Sequence, residues 1–121
     1  MKKILLVDDN ADYLDILELV LRQKYLVRSS TDITELSKIL IEFDPDLILI
    51  DHFFGSYTSI YILDQLRSTS IGKPIPFILI SGIHDIEAKA HEIGAVGYIS
   101  KPSSLDHIRK YIDGFFKYRS G

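Results

Sequence analysis

Two kinds of apolar patterning alternate along this chain. Short uninterrupted runs, Ile4-Leu5-Leu6-Val7, Leu47-Ile48-Leu49-Ile50 and Phe77-Ile78-Leu79-Ile80, suit strands buried on both faces in the middle of a parallel sheet. Between them apolar residues recur every three or four positions, as helices with one buried face require. Leu14, Leu17, Val20 and Leu21 predict a first helix, with Asn10 placed to cap it and acids in its first turn. Tyr25–Arg28 predicts a brief strand whose polar ending suits a sheet edge. Thr31-Asp32 can cap a second helix bearing Ile33, Leu36, Ile39, Leu40 and Phe43, closed by Pro45. Phe53–Ser59 predicts a loop, and Ile60, Leu63 and Leu66 a third helix. Gly72 to Pro76 is turn punctuation. A fourth helix over Asp85–Ile93 stops at Gly94, the residue favoured for a left-handed cap. Gly97–Ser100 is the last strand, and Ser103 or Ser104 caps a final helix with Leu105, Ile108, Ile112 and Phe115 on one face. Five strands, each followed by a helix, predict one α/β domain over residues 1–121: a doubly wound, five-stranded parallel sheet with right-handed crossovers.

Four of these strands end in a polar group capable of chemistry: Asp8-Asp9, Asp51, Ser81 and Lys101. Carboxyl ends of strands in an open α/β sheet are where ligands bind, so this convergence is the strongest functional signal in the chain. The rest of the composition narrows the field. At 46% hydrophobic and 26% charged the chain is not a disordered segment. No apolar run approaches the roughly 18–20 residues of a membrane span, and the apolar run after Met1-Lys2-Lys3 is too short for a signal peptide. The lack of cysteine excludes disulfides and thiolate chemistry and suits a cytoplasmic protein. A net charge of −3 argues against nucleic acid as a direct partner.

Three carboxylates brought within ~5 Å repel one another by a few kcal/mol per pair at an effective dielectric near 20. Such a crowd needs a cation. Hard oxygen donors suit Mg²⁺ (or Mn²⁺), Lys101 supplies a fixed positive charge, and Ser81 a hydroxyl donor. Together they suit a phosphoryl group, with Asp51 as the nucleophile.

The pattern Val7-Asp8-Asp9, Asp46-Leu47-Ile48-Leu49-Ile50-Asp51, Ile80-Ser81-Gly82 and Gly97-Tyr98-Ile99-Ser100-Lys101-Pro102 resembles the response-regulator receiver domain of two-component signalling, over essentially the whole chain. The resemblance implies a flavodoxin-like fold with strand order 2-1-3-4-5, a known type of doubly wound sheet. It implies that Asp51 accepts phosphate from the histidine of a sensor kinase or histidine phosphotransfer protein. Asp9 would bind Mg²⁺ directly and Asp8 mostly through water, with Asp51 and the Phe53 backbone carbonyl completing the protein ligands. Lys101 would hold a phosphate oxygen, its bond to Pro102 cis. Ser81 would move onto the phosphate, and Tyr98 would turn into the space it leaves. The surface switched in this way is the fourth helix, fifth strand and fifth helix, which a downstream protein would read. The chain would act on itself without turning over an external substrate, as a monomer or weak dimer. Val96 and Gly97 stand where one dimerising branch of transcription regulators carries acids. The chain ends after the fifth helix, so the expectation is a receiver with no output domain, either stand-alone or the receiver piece of a longer transcriptional regulator.

Other readings of the same residues are weaker. Asp8-Asp9 alone would serve as an acid pair at a helix N-terminus, Ser81 as a turn serine and Tyr98 as an ordinary strand aromatic. A phosphatase with a strand-end Asp nucleophile needs a second acid two residues on, where Asn10 stands. A flavin carrier needs a hydroxyl- and glycine-rich phosphate loop, and Asp8-Asp9-Asn10-Ala11-Asp12 is acidic instead. A docking module that is never phosphorylated would have no use for Asp9, Asp51 and Lys101. His52, His84, His91 and His107 lack ligand spacing and read as surface residues, with His52 the one placed to matter for pH. The Phe115–Arg119 ending reads as the tail of an amphipathic helix.

The chain departs from the family in one loop. Phe54-Gly55 replaces the usual Met-Pro pair beyond the acceptor, loosening the loop, and Ser59 replaces a glycine where the next helix starts. Phe53 and Ile83, each two residues beyond a site residue, are apolar and cannot orient an attacking water by a hydrogen bond. Loss of phosphate from Asp51 should therefore be slow. A phosphorylated chain followed by radiolabel or phosphorus NMR should outlast several minutes unassisted, and a lifetime of seconds would contradict this.

Overall fold

Register between strands decides where their polar ends emerge. A computed structural model describes residues 1–69 and 74–119. Its main sheet comprises β1 (Lys3–Val7), β2 (Leu26–Ser30), β3 (Leu47–Ile50), β4 (Phe77–Ser81) and β5 (Gly97–Ser100). All neighbours are parallel and the order is 2-1-3-4-5, the flavodoxin-like arrangement expected. The helices are α1 (Ala11–Leu21), α2 (Leu36–Phe43), α3 (Ser59–Thr69), α4 (Ile86–Ile93) and α5 (Leu105–Arg119).

Because strand side chains alternate in direction, the sheet feeds two cores. Leu5, Val7, Ile48, Ile50, Phe77 and Leu79 pack with α2, α3 and α4 on one face. Ile4, Leu6, Leu47, Leu49, Ile78, Ile80 and Ile99 pack with α1 and α5 on the other. The apolar runs are continuous because both faces are covered, and β3 is buried at all four positions.

Local chemistry sets the element ends. The Asn10 side chain accepts the Tyr13 amide and caps α1. Asp32 caps a turn of 3₁₀ helix (Ile33–Glu35) through the Thr34 amide and hydroxyl, and α2 begins only after that turn. The second helix ends on Asp44 in the left-handed conformation (φ +49), with Pro45 after it, so the stop comes one residue before the proline expected to impose it. Gly94 (φ +79) terminates α4 as expected. Of the two candidate caps of α5, Ser104 is the one whose hydroxyl accepts a first-turn amide, that of His107. Of the turn read from Gly72 to Pro76, Gly72 and Lys73 lie outside the described residues.

The stretch read as a loop after β3 has structure of its own. Phe53–Phe54 pairs antiparallel with Tyr57–Thr58 in a small hairpin, turned through Gly55 at φ +59. Glycine meets that backbone demand without steric cost, where the family's proline could not.

At the opposite edge β5 is clamped by α5. The Tyr111 hydroxyl accepts the Tyr98 backbone N–H at 3.2 Å. It occupies the space a side chain at residue 97 would need, since a Cβ there would overlap the Tyr111 oxygen. Gly97→Ala should therefore cost about 1–3 kcal/mol in urea unfolding, and Tyr111→Phe about 1 kcal/mol through the orphaned amide. The double variant should lose less than the sum, because the phenyl ring no longer carries the oxygen the alanine meets. Additive losses would contradict the clamp.

Candidate functional site

Backbone pairing aims three side chains at one spot. Val7 lies opposite Ile50 in the sheet, and the Asp51 amide continues that ladder onto the Val7 carbonyl at 3.1 Å. Asp8 and Asp51 therefore leave adjacent strands at the same level. The Lys101 amide bonds the Ser81 carbonyl at 2.9 Å, bringing the lysine to the same edge from β5. The Lys101–Pro102 peptide is cis.

The Lys101 ammonium donates to Asp8 Oδ2 and to Asp51 Oδ2, each at 2.9 Å. Asp8 is 3% exposed, and the Asp51 carboxylate is more open, with its side chain 15% exposed. The other Asp8 oxygen accepts the Asn10 amide at 2.9 Å, and the other Asp51 oxygen accepts the Phe53 amide at 3.3 Å. Burial raises the Asp8 carboxyl above its ordinary range even though Lys101 and the Asn10 amide pull it down. Burial works to lower Lys101, but its two carboxylate partners outweigh that and raise it.

Asp9 does not join them. It is exposed, and its Oδ2 accepts the Gly55 amide at 2.9 Å, tying the end of β1 to the hairpin. Among the described residues no three acidic or imidazole groups stand together as a metal-holding cluster. In this structure two carboxylates share one lysine, and the third is engaged by a backbone donor. Ser81 is buried, and its hydroxyl accepts the Ile83 amide at 3.4 Å. The Tyr98 hydroxyl hydrogen-bonds Glu87 on α4, and the Glu87 charge raises the phenol above its ordinary value.

Two features beside the candidate site escaped the sequence, the burial of His52 and the place of Tyr13. His52 was expected at the surface, yet it is 7% exposed, and its Nδ1 lies 2.9 Å from Ser59 Oγ, itself fully buried. The hydroxyl at the helix start gives the imidazole a partner, so the histidine turns inward. Burial, helped by the Lys89 charge, lowers the imidazole, against the opposing pull of Asp51, Asp85 and Glu92. His84, His91 and His107 are exposed as expected. Tyr13 was also missed: its ring lies under the Lys101 ammonium, 4.3 Å from Nζ to centroid, and burial raises its phenol while Lys101 lowers it. A first-turn aromatic directly after the acid pair was the available signal.

Residues 4–113 match the family model of the response regulator receiver domain. The chain belongs to that family. This receiver is 28% identical over 102 residues to the chemotaxis protein CheY of Halobacterium salinarum, a match covering 84% of this chain and 85% of that one. It is 28% identical over 106 residues to the phosphate regulon transcriptional regulatory protein PhoB of Pseudomonas aeruginosa, covering 85% of this chain and 46% of the relative. A CheY-like receiver domain from Methanospirillum hungatei superposes with a TM-score of 0.82 at 26% identity, over 99% of this chain and 97% of that one. The chain spans only a quarter to about half the length of most curated relatives it matches, 25% for a probable cyclic di-GMP phosphodiesterase of Vibrio cholerae and 46% for PhoB. No helix among the described residues is long and apolar enough to cross a membrane.

The raised Asp8 carboxyl has a pH signature. A group held above its unfolded value contributes stability that is fully present below that value, 3.8, and is lost as pH rises through the folded one. Asp8→Asn lacks this titration. In urea melts its stability relative to wild type should climb as pH rises from about 3.5 to 7, and a relative stability that falls over that interval would contradict the assignment.

Proposed function

We propose that this receiver is a phosphoacceptor switch in which Asp51 is the nucleophile. The observation that carries the reading is the Lys101 ammonium bonded equally to Asp8 and Asp51 at the carboxyl edge of the sheet. In the transfer, an Asp51 oxygen bonds to the phosphorus of a phosphohistidine on a sensor kinase or histidine phosphotransfer protein. The P–N bond breaks, and its electron pair stays on the departing imidazole. Lys101 neutralises a phosphoryl oxygen, and Ser81 donates its hydroxyl to another after leaving the Ile83 amide. The added charge of roughly −1.5 to −2 favours the arrangement in which these groups meet it. Tyr98 and the face of α4, β5 and α5 then change, and a downstream protein reads that face. The receiver acts only on its own phosphorylation and dephosphorylation, in the cytoplasm, as a monomer or weak dimer without direct contact to nucleic acid or membrane. The switching unit falls within residues 1–121.

The donor set also fits Mg²⁺ or Mn²⁺. Asp8, Asp9, Asp51 and the Phe53 carbonyl supply hard oxygens with no competing nitrogen or sulfur ligand, and Asp9 would give up the Gly55 amide to take part. Bound there, the ion offsets the negative charge that an incoming phosphoryl group brings.

Incubation with a small acyl phosphate and Mg²⁺ tests this reading. Wild type should add one phosphoryl group by intact mass, and Asp51→Asn should incorporate at least about a hundredfold less. Mg²⁺ should raise the melting temperature of wild type and have a much smaller effect on Asp9→Asn. Equal incorporation by wild type and Asp51→Asn would place the acceptor elsewhere.

A further inference from the structure

Resting on the phosphoacceptor reading, we propose that Tyr13 is a positioning residue for Lys101, its ring face holding the ammonium in the gap between Asp8 and Asp51. A lysine reaches its partners on a flexible four-carbon stem, and its ammonium is a compact point charge that two equal carboxylates do not by themselves fix in one place. Here Nζ is 2.9 Å from each carboxylate oxygen and 4.3 Å from the centroid of the Tyr13 ring, inside the roughly 6 Å within which a cation is attracted to a ring face. The side chain of Lys101 is only 25% exposed, so that attraction is less screened than on an open surface.

The ring is itself anchored. Tyr13 lies in the first turn of α1, with its backbone N–H on the capping Asn10 side chain at 3.1 Å. Its side chain is half-buried against the core shared by α1 and α5. Helix cap, ring and ammonium therefore form one continuous sequence of contacts. The electron-rich ring face is repelled by carboxylates, so a tyrosine beside this acidic edge is favourable only with the ammonium between them. When a phosphoryl group arrives, Lys101 must share its N–H groups with a new oxygen. A ring that keeps the ammonium at the rim then speeds transfer, since Lys101 no longer has to be recruited from other rotamers.

The test is a graded series at residue 13 in the full chain. Tyr13→Leu should slow phosphoryl uptake from a small acyl phosphate by about 3–10-fold, the range expected for losing one partly desolvated cation–ring contact. Tyr13→Phe should recover most of that loss. Phenylalanines carrying one, two and three fluorines keep the ring's shape while draining its face of charge, and should slow uptake stepwise. In parallel, NMR of the Lys101 side chain should show methylene protons next to Nζ shifted upfield by the ring in wild type and returning toward ordinary values in Tyr13→Leu. A flat fluorine series, or a Lys101 resonance unmoved by loss of the ring, overturns the proposal. So does a Tyr13→Phe variant as slow as Tyr13→Leu, which would assign the effect to the hydroxyl. If Tyr13→Leu fails to fold, the fluorinated series decides alone. A wild-type chain that takes up no phosphate, or an Asp51→Asn variant that takes up as much, removes the acceptor reading, and the Lys101 resonance then still tells whether the ring holds the ammonium.

Discussion

Two carboxylates on neighbouring strands, one of them 3% exposed, would separate if nothing positive stood between them. Parallel pairing does not let them: Val7 and Ile50 are opposite one another, so the next residues emerge side by side. The Lys101 ammonium resolves the conflict by bonding both at 2.9 Å. That shared cation is what gathers the carboxyl edge of this sheet into a candidate site and not merely a row of strand ends. It also links first and last strands of the chain order, since β1, β3 and β5 must all be in register for the three groups to meet.

How far this was legible in the sequence differs from residue to residue, for physical reasons. The buried strands were legible because a run such as Leu47–Ile50, preceded by Pro45-Asp46, is too short for a helix and half β-branched. Asp8, Asp51 and Lys101 were legible as polar groups at the ends of such runs, and the structure brings those three together. Asp9 was placed in the same group by its position beside Asp8 and by the family resemblance. Neighbouring residues leaving a strand diverge, however, and a loop amide 46 positions away captures it. His52 was misjudged as a surface residue because its partner, Ser59, sits across a hairpin that no periodicity announces. Tyr13 was overlooked because its importance lies in a ring face and a distance, neither of which residue spacing encodes.

The unusual loop after β3 is held by substitutes for the residues it lacks. Gly55 takes a positive φ and turns its amide to Asp9. Ser59, where the family usually carries glycine, opens α3 and meets His52 with its hydroxyl, while its amide bonds the His52 carbonyl. The hairpin is thus tied on both flanks, to the end of β1 and to the start of α3. Phe53 is left 54% exposed between these ties, so the approach to Asp51 is bordered by an aromatic surface and not by a hydrogen-bonding one.

At the far side of the sheet, β5 is an outer strand, and outer strands offer free backbone donors on which another chain can build. The Tyr98 amide is not free, because the Tyr111 hydroxyl caps it from α5. An incoming strand would have to break that bond and displace the Tyr111 hydroxyl before it could pair with the Tyr98 amide. A chain approaching along this edge meets the Tyr111 side chain where it would otherwise find the Tyr98 amide.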